Sequence, residues 1–191
     1  MRLAPIAAAA ALSLVAAMPA AAEPWTLDKS HAAVTFQVNH LGFSSVQGVF
    51  RSFDAAVDFD PADIASSSVE FTIDAASIDT FWEARDNHIK TGDFLDVENH
   101  PTITFKSTSV EKLSDTTAKV TGELTMVGVT REETFDVTLN KLGPSPFNAD
   151  LTVAGFTVEG VIDRTAYGMG YGAPAIGAEL PLRVDLELNK Q

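Results

Sequence analysis

Seven stretches of this chain alternate apolar and polar residues one by one. Val34, Phe36 and Val38 are separated by Thr35 and Gln37. Val69, Phe71, Ile73 and Ala75 alternate with Glu70, Thr72 and Asp74, and Ile103 and Phe105 flank Thr104. Val120, Gly122, Leu124 and Met126 oppose Thr121, Glu123 and Thr125. Phe135, Val137 and Leu139 oppose Asp136 and Thr138, while Phe156, Val158, Gly160 and Ile162 share one face. Leu180, Leu182, Val184, Leu186 and Leu188 form the last such face. A period of two marks strands with one buried side. Two further strands are expected at 46–53 and 55–59. The total is eight or nine, mostly antiparallel, joined by short turns such as Leu142–Asp150 with its two prolines.

One stretch breaks the period. Between Asp79 and Asp96 the spacing predicts a helix over about 80–91, with Thr80 and Glu83 as a capping box and Gly92 as its stop. Phe81, Arg85 and Ile89 then share a face beside Trp82, and this face is expected to pack over one end of the sheet. No linker or repeat divides the rest, so residues 23–191 read as a single all-β domain. A sheet with one apolar face hides it in a sandwich or a barrel. About eight strands leave a barrel interior that is filled by side chains or holds one small ligand. The inner face here carries Phe36, Phe50, Phe71, Phe105, Phe135 and Phe156 with Ala75, Gly122 and Gly160 between them. Alternation alone leaves both outcomes open, and it also fits an outer-membrane barrel turned apolar side out. Against the latter stand the Asp, Glu and Lys on the polar faces and the lack of aromatic girdles.

Residues 1–22 read as a signal peptide: Met1-Arg2, an apolar run rich in Ala, then Pro19 and Ala20-Ala21-Ala22 before Glu23. The expected location is the periplasm. The net charge of −13 argues against nucleic acid, since phosphate binding needs clustered Lys and Arg. With no cysteine, disulfides, thiolate metal sites and a Cys nucleophile are excluded. No Gly-x-Ser-x-Gly string occurs, and His31, His40, His88 and His100 lack metal-site spacing. Asp93, Asp96 and Glu98 read as a solvated acidic face, and the glycine-rich Gly168–Gly172 as a flexible loop at a barrel mouth. No catalytic residue, metal or cofactor is nominated.

Four segments, taken in order, resemble the YceI family. They are Trp25-Thr26-Leu27-Asp28-Lys29-Ser30-His31 leading into Val34-Thr35-Phe36; His88-Ile89-Lys90 with Asp93–Val97 and Pro101–Ser107; Gly122–Thr130; and Arg164-Thr165-Ala166-Tyr167-Gly168. His100 before the proline and the Ala166-Tyr167 pair are mild departures. The resemblance implies an extended, lipocalin-like antiparallel barrel with a long apolar tunnel, and the helix read above would cap one end. It implies binding of isoprenoid lipids, either polyprenyl phosphates or isoprenoid quinones, or of similar amphiphiles, without established catalysis.

Joined to the inward face, the resemblance nominates Phe36, Val38, Phe50, Phe71, Ile73, Trp82, Phe105, Leu124, Phe135, Phe156 and Val158 as lining. Arg164 is nominated for the headgroup, with Arg51, Arg85 and Lys90 as the other cations near the loops. The opposing expectation for Arg164 is an ion pair with Asp163 or Glu179. The leading function is a periplasmic carrier of a long isoprenoid chain, with no integral membrane insertion and room for a homodimer. The alternatives are an enzyme acting on such a lipid, or a structural or stress module with a filled barrel.

Overall fold

The computed structural model describes residues 24–190. The segment read as a signal peptide lies outside the described residues. Ten strands follow in order: β1 (Thr26–His40), β2 (Ser44–Phe50), β3 (Phe53–Asp58), β4 (Ser68–Asp74), β5 (Ile78–Asp79), β6 (Thr102–Lys112), β7 (Thr117–Met126), β8 (Val129–Pro144), β9 (Thr152–Asp163) and β10 (Glu179–Lys190). Two of the ten are fragments of interrupted strands. Arg51 and Ser52 separate β2 from β3, and a 3₁₀ turn at Ala75–Ser77 separates β4 from β5. Counted whole, the strands number eight.

Each strand pairs antiparallel with the next, and the last pairs with the first. β3 lies on β4, β4 on β6, and so on to β9 on β10; Val184 of β10 then faces Val34 of β1, and Val34 faces Phe50 of β2. The meander therefore closes on itself as an up-and-down barrel. Closure satisfies the backbone groups that an open edge would leave for another chain. The expectation of an antiparallel lipocalin-like barrel holds; the break expected between strands at 46–53 and 55–59 falls at Arg51 and Ser52, and the one at Ala75–Ser77 was not signalled by the residue pattern.

Bulges bend the long strands. The register slips between Asp28 and Ala33, between Ser107 and Ser109, and between Leu139 and Lys141. Gly122 faces the second of these. A Cβ at Gly122 would lie 2.3 Å from the Lys106 carbonyl oxygen and 2.6 Å from the Phe105 ring. Only glycine lets β7 approach this bulge so closely.

The interior has two parts. At the end where β1 begins, Trp25 packs with Leu27, Phe59, Ala154, Leu186 and Leu188. Trp25 Nε1 donates to the Phe59 carbonyl at 2.8 Å, and the Phe59 ring meets Phe156 edge-on at 5.1 Å. This cluster plugs that end. The other part centres on Ile103, Leu124, Met126, Phe135, Ile162, Tyr167 and Met169.

The helix α1 spans Glu83–Ile89, shorter than expected, and the capping box does not form. Asp86 takes the role instead. Its Oδ1 accepts the Thr80 amide at 2.8 Å and the Thr80 hydroxyl at 2.5 Å. Thr80 is thereby buried ahead of the helix, and Trp82 becomes the cap with extended backbone. Phe81 does not pack over the barrel. Its φ of +67° turns it outward, and it is 68% exposed.

Replacing Gly122 with Ala is expected to cost about 1–3 kcal/mol, because the clash is with backbone. Gly160→Ala is expected to cost less, since its added methyl meets only the Phe135 ring, at 2.5 Å. Urea unfolding midpoints of the two variants check the order.

Candidate functional site

A cavity of about 530 Å³ runs through the barrel. Of the twelve residues nominated from the sequence, eleven stand in its wall. Phe36, Val38 and Phe50 come from β1 and β2, and Phe71 and Ile73 from β4. Phe105, Leu124, Phe135 and Val158 come from β6 to β9. Trp82 and Arg164 come from the segments flanking α1 and following β9. Phe156 is the exception. It lies on the inner face but nearer the plugged end, where it packs on Phe59.

The space stays open because of where the rings lie. A Cβ placed on Gly48 would be 2.2 Å from the tip of Phe36, its cross-strand partner. A Cβ on Gly122 would likewise meet the Phe105 ring at 2.6 Å, and one on Gly160 the Phe135 ring at 2.5 Å. Each ring thus rests on a glycine of the neighbouring strand, against the wall. A larger residue at those glycines would push the ring toward the lumen. Phe105 and Phe135 then meet edge to face at 5.2 Å, which fixes both.

The mouth is marked by the lining residues that also reach solvent. These are His40 at the end of β1, Trp82 and Ala84 at the start of α1, and Tyr171 in the loop after β9. Trp82 is 62% exposed, so it stands at the rim and does not cap a closed end. His88, Phe94 and Tyr171 form an aromatic junction beside it, with ring centroids 5.0–5.3 Å apart. His88 Nε2 is held 2.8 Å from Asp93 Oδ2. The junction ties the α1 segment to the glycine-rich loop. Periodicity carries no signal for it, since the three residues come from a helix and two loops. Leu180, Leu182 and Val184 also line the cavity. Their alternation in the sequence was a sufficient signal for that.

Arg164 is 3% exposed, and its donors go to backbone carbonyls instead of the expected Asp163 or Glu179. Its Nε donates to the Gly177 carbonyl at 2.9 Å, and Nη2 donates to those of Tyr171 and Ile176 at 3.0 and 2.9 Å. Nη1 donates to the Met169 carbonyl. Asp163 instead accepts the Thr165 amide and hydroxyl. Burial pushes the Arg164 guanidinium below its ordinary value. The side chain is a clasp that folds the loop 168–178 over the barrel end.

Among the described residues, no carboxylate lines the cavity. Asp28, His31 and Glu187 converge elsewhere, on the outer side of β1 and β10. There Asp28 holds His31 at 2.9 Å, and this contact raises the imidazole above its ordinary value. The group does not meet the cavity.

Arg164→Met leaves four loop carbonyls without their donor. It is expected to lower stability by about 3 kcal/mol. Hydrogen exchange at the amides of Gly170, Ala173 and Ile176 is expected to quicken before that of the strands. Exchange mass spectrometry checks both.

The model of the YceI-like domain matches residues 25–188. A UPF0312 protein of Staphylococcus aureus (strain USA300) is 41% identical over 147 residues, covering 77% of this chain and 82% of that protein. The crystal structure of BcnA from Burkholderia cenocepacia is 26% identical, with a TM-score of 0.76, over 84% of this chain and 98% of that one. A domain from Saccharophagus degradans, described as polyisoprenoid binding, shares the fold at 12% identity and a TM-score of 0.62, over 88% of this chain and 99% of that domain. With the domain match spanning nearly every described residue, this chain belongs to the YceI-like family.

Proposed function

We propose that the chain is a periplasmic carrier that holds one long isoprenoid chain, of a polyprenyl phosphate or an isoprenoid quinone, inside the barrel. The observation that carries this reading is the cavity itself, walled by hydrocarbon side chains and open at one end. Its volume of about 530 Å³ falls within the ordinary range of small-molecule sites. Burying one five-carbon isoprene unit gains roughly 4 kcal/mol gross, at ~0.8 per carbon group. Three or four units therefore offset the ~4–15 kcal/mol that association costs. A wall of this kind selects for length and flexibility of the chain. Among the described residues no carboxylate lines the wall, which supports binding rather than turnover. The polyisoprenoid binding described for the Saccharophagus degradans domain points the same way.

The headgroup is assigned to the mouth, and there Arg85 is the better cation than Arg164. It lines the cavity beside Trp82, with its guanidinium carbon 5.6 Å from the ring centroid. Its Nε is anchored on the Thr80 hydroxyl at 2.7 Å, so the charge is fixed at the rim. Arg51 is occupied by Asp79 at 2.7 Å.

Native mass spectrometry of protein purified from periplasm is expected to show a bound lipid that extracts as an isoprenoid. A barrel that purifies empty and takes up no added long prenyl alcohol overturns the proposal. Phe71→Asp is expected to abolish uptake, since it places an unpaired carboxylate in the wall, whereas Phe71→Leu retains it. Arg85→Ala is expected to weaken a prenyl pyrophosphate about tenfold while leaving the matching alcohol unchanged. Titration of both ligands checks this.

A further inference from the structure

Exposed large apolar side chains gather at the rim of the cavity. Nine large hydrophobic residues are exposed among the described residues, and five surround the mouth: Leu41, Phe43, Phe81, Trp82 and Tyr171. Leu41 and Phe43 form the tip of the β1–β2 hairpin, just beyond His40 of the cavity wall. The Leu41 amide donates to the Ala175 carbonyl at 3.1 Å, which joins this tip to the loop bearing Tyr171. Phe81 lies between Thr80 and Trp82, both wall residues.

Backbone conformation makes two of these choices unusual. Leu41 and Gly42 both have positive φ, +58° and +75°, and the Phe43 amide donates to the His40 carbonyl at 3.0 Å. This is a type I′ turn, whose first central position favours Asn, Asp or Gly. Leu at that position is strained, and so is Phe81 at φ +67°. The β7–β8 hairpin offers a control. Val127, at φ +49° before Gly128, packs against the core, so burial offsets its strain. Leu41 and Phe81 are 48% and 68% exposed and belong to neither core cluster. A large apolar side chain on a strained backbone that joins neither core cluster points to a use outside the chain.

The guest decides what that use is, and here the argument rests on the carrier reading. A long isoprenoid chain loses roughly 4 kcal/mol per unit on passing into water, so its transfer demands a path that avoids water. Trp, Tyr, Phe and Leu are the side chains that sit in the boundary between headgroups and acyl chains. The net charge of −13 turns the protein away from anionic lipid. We propose that the rim is a membrane-docking surface: the barrel seats its open end on a zwitterionic bilayer, and the guest passes between leaflet and cavity without crossing water.

The test uses phosphatidylcholine vesicles and the double variant Leu41→Asn/Phe43→Ser. Neither residue lines the cavity. Wild type is expected to float with the vesicles. Its Trp82 emission is expected to be quenched by lipids brominated near the headgroup end of the acyl chain. Trp25, buried at the opposite end, serves as the unquenched background. The double variant is expected to float about tenfold less, yet to unfold at a higher urea concentration, because Asn suits the left-handed position. It is expected to take up a short prenyl alcohol from solution as wild type does. Wild type left in the unbound fraction overturns the docking surface, and so does a variant that floats equally. A wild-type dimer that the variant dissolves, without vesicle binding, also overturns it and makes the rim a contact between copies. Failure of wild type to bind the alcohol overturns the carrier reading instead, whatever the flotation.

Discussion

A closed ring of eight strands has one inner face, and everything in this structure depends on how that face is packed. An apolar interior tends to collapse to crystal-like density. Here three phenylalanine rings lie over glycines of adjacent strands, Phe36 on Gly48, Phe105 on Gly122 and Phe135 on Gly160. The rings cover the backbone and line the wall, and the lumen remains. The hydrogen-bonded ring keeps the wall from closing in, since no strand has a free edge along which to slide.

The two ends of the barrel then take different roles. At one, Trp25, Phe59 and Phe156 pack into a plug, with Trp25 Nε1 donating to the Phe59 carbonyl. At the other, the mouth is bordered by the short helix α1 and the loop after β9. The α1 segment is pinned by Thr80 on Asp86, and the loop after β9 by the four carbonyls on Arg164. The two meet at the junction of His88, Phe94 and Tyr171. Side-chain contacts of this kind open at far lower free energy than a strand ladder. The mouth is thus held by side-chain contacts, and the plugged end by packed rings.

Face was legible in the residues; height along the barrel was not. Phe36, Phe71 and Phe156 read alike, because alternation reports only the side of the sheet. Register decides the rest, and it sets Phe156 opposite Leu186, beside the plug. The bulges at Thr108 and Asn140 were also hidden, since one inserted residue merely ends one alternating run and begins another. The helix start was misread because the acceptor for Thr80 lies six residues downstream in Asp86, outside the spacing of a capping box. Arg164 shows the same limit. A cation beside a glycine-rich loop suggests a free charge, but its donors are taken by carbonyls five to thirteen residues further on.

The central claim is that a flexible apolar chain lies along the lumen against these rings. Isotope-filtered NMR of the protein with a carbon-13-labelled prenyl alcohol tests it most directly. The account predicts contacts from the ligand methyls to Ile73, Leu124, Met126 and Val158, graded from the Trp82 end inward, and none to the outward-facing Val161. Ligand contacts confined to the outer face, or none to the lumen methyls at saturating ligand, would contradict it.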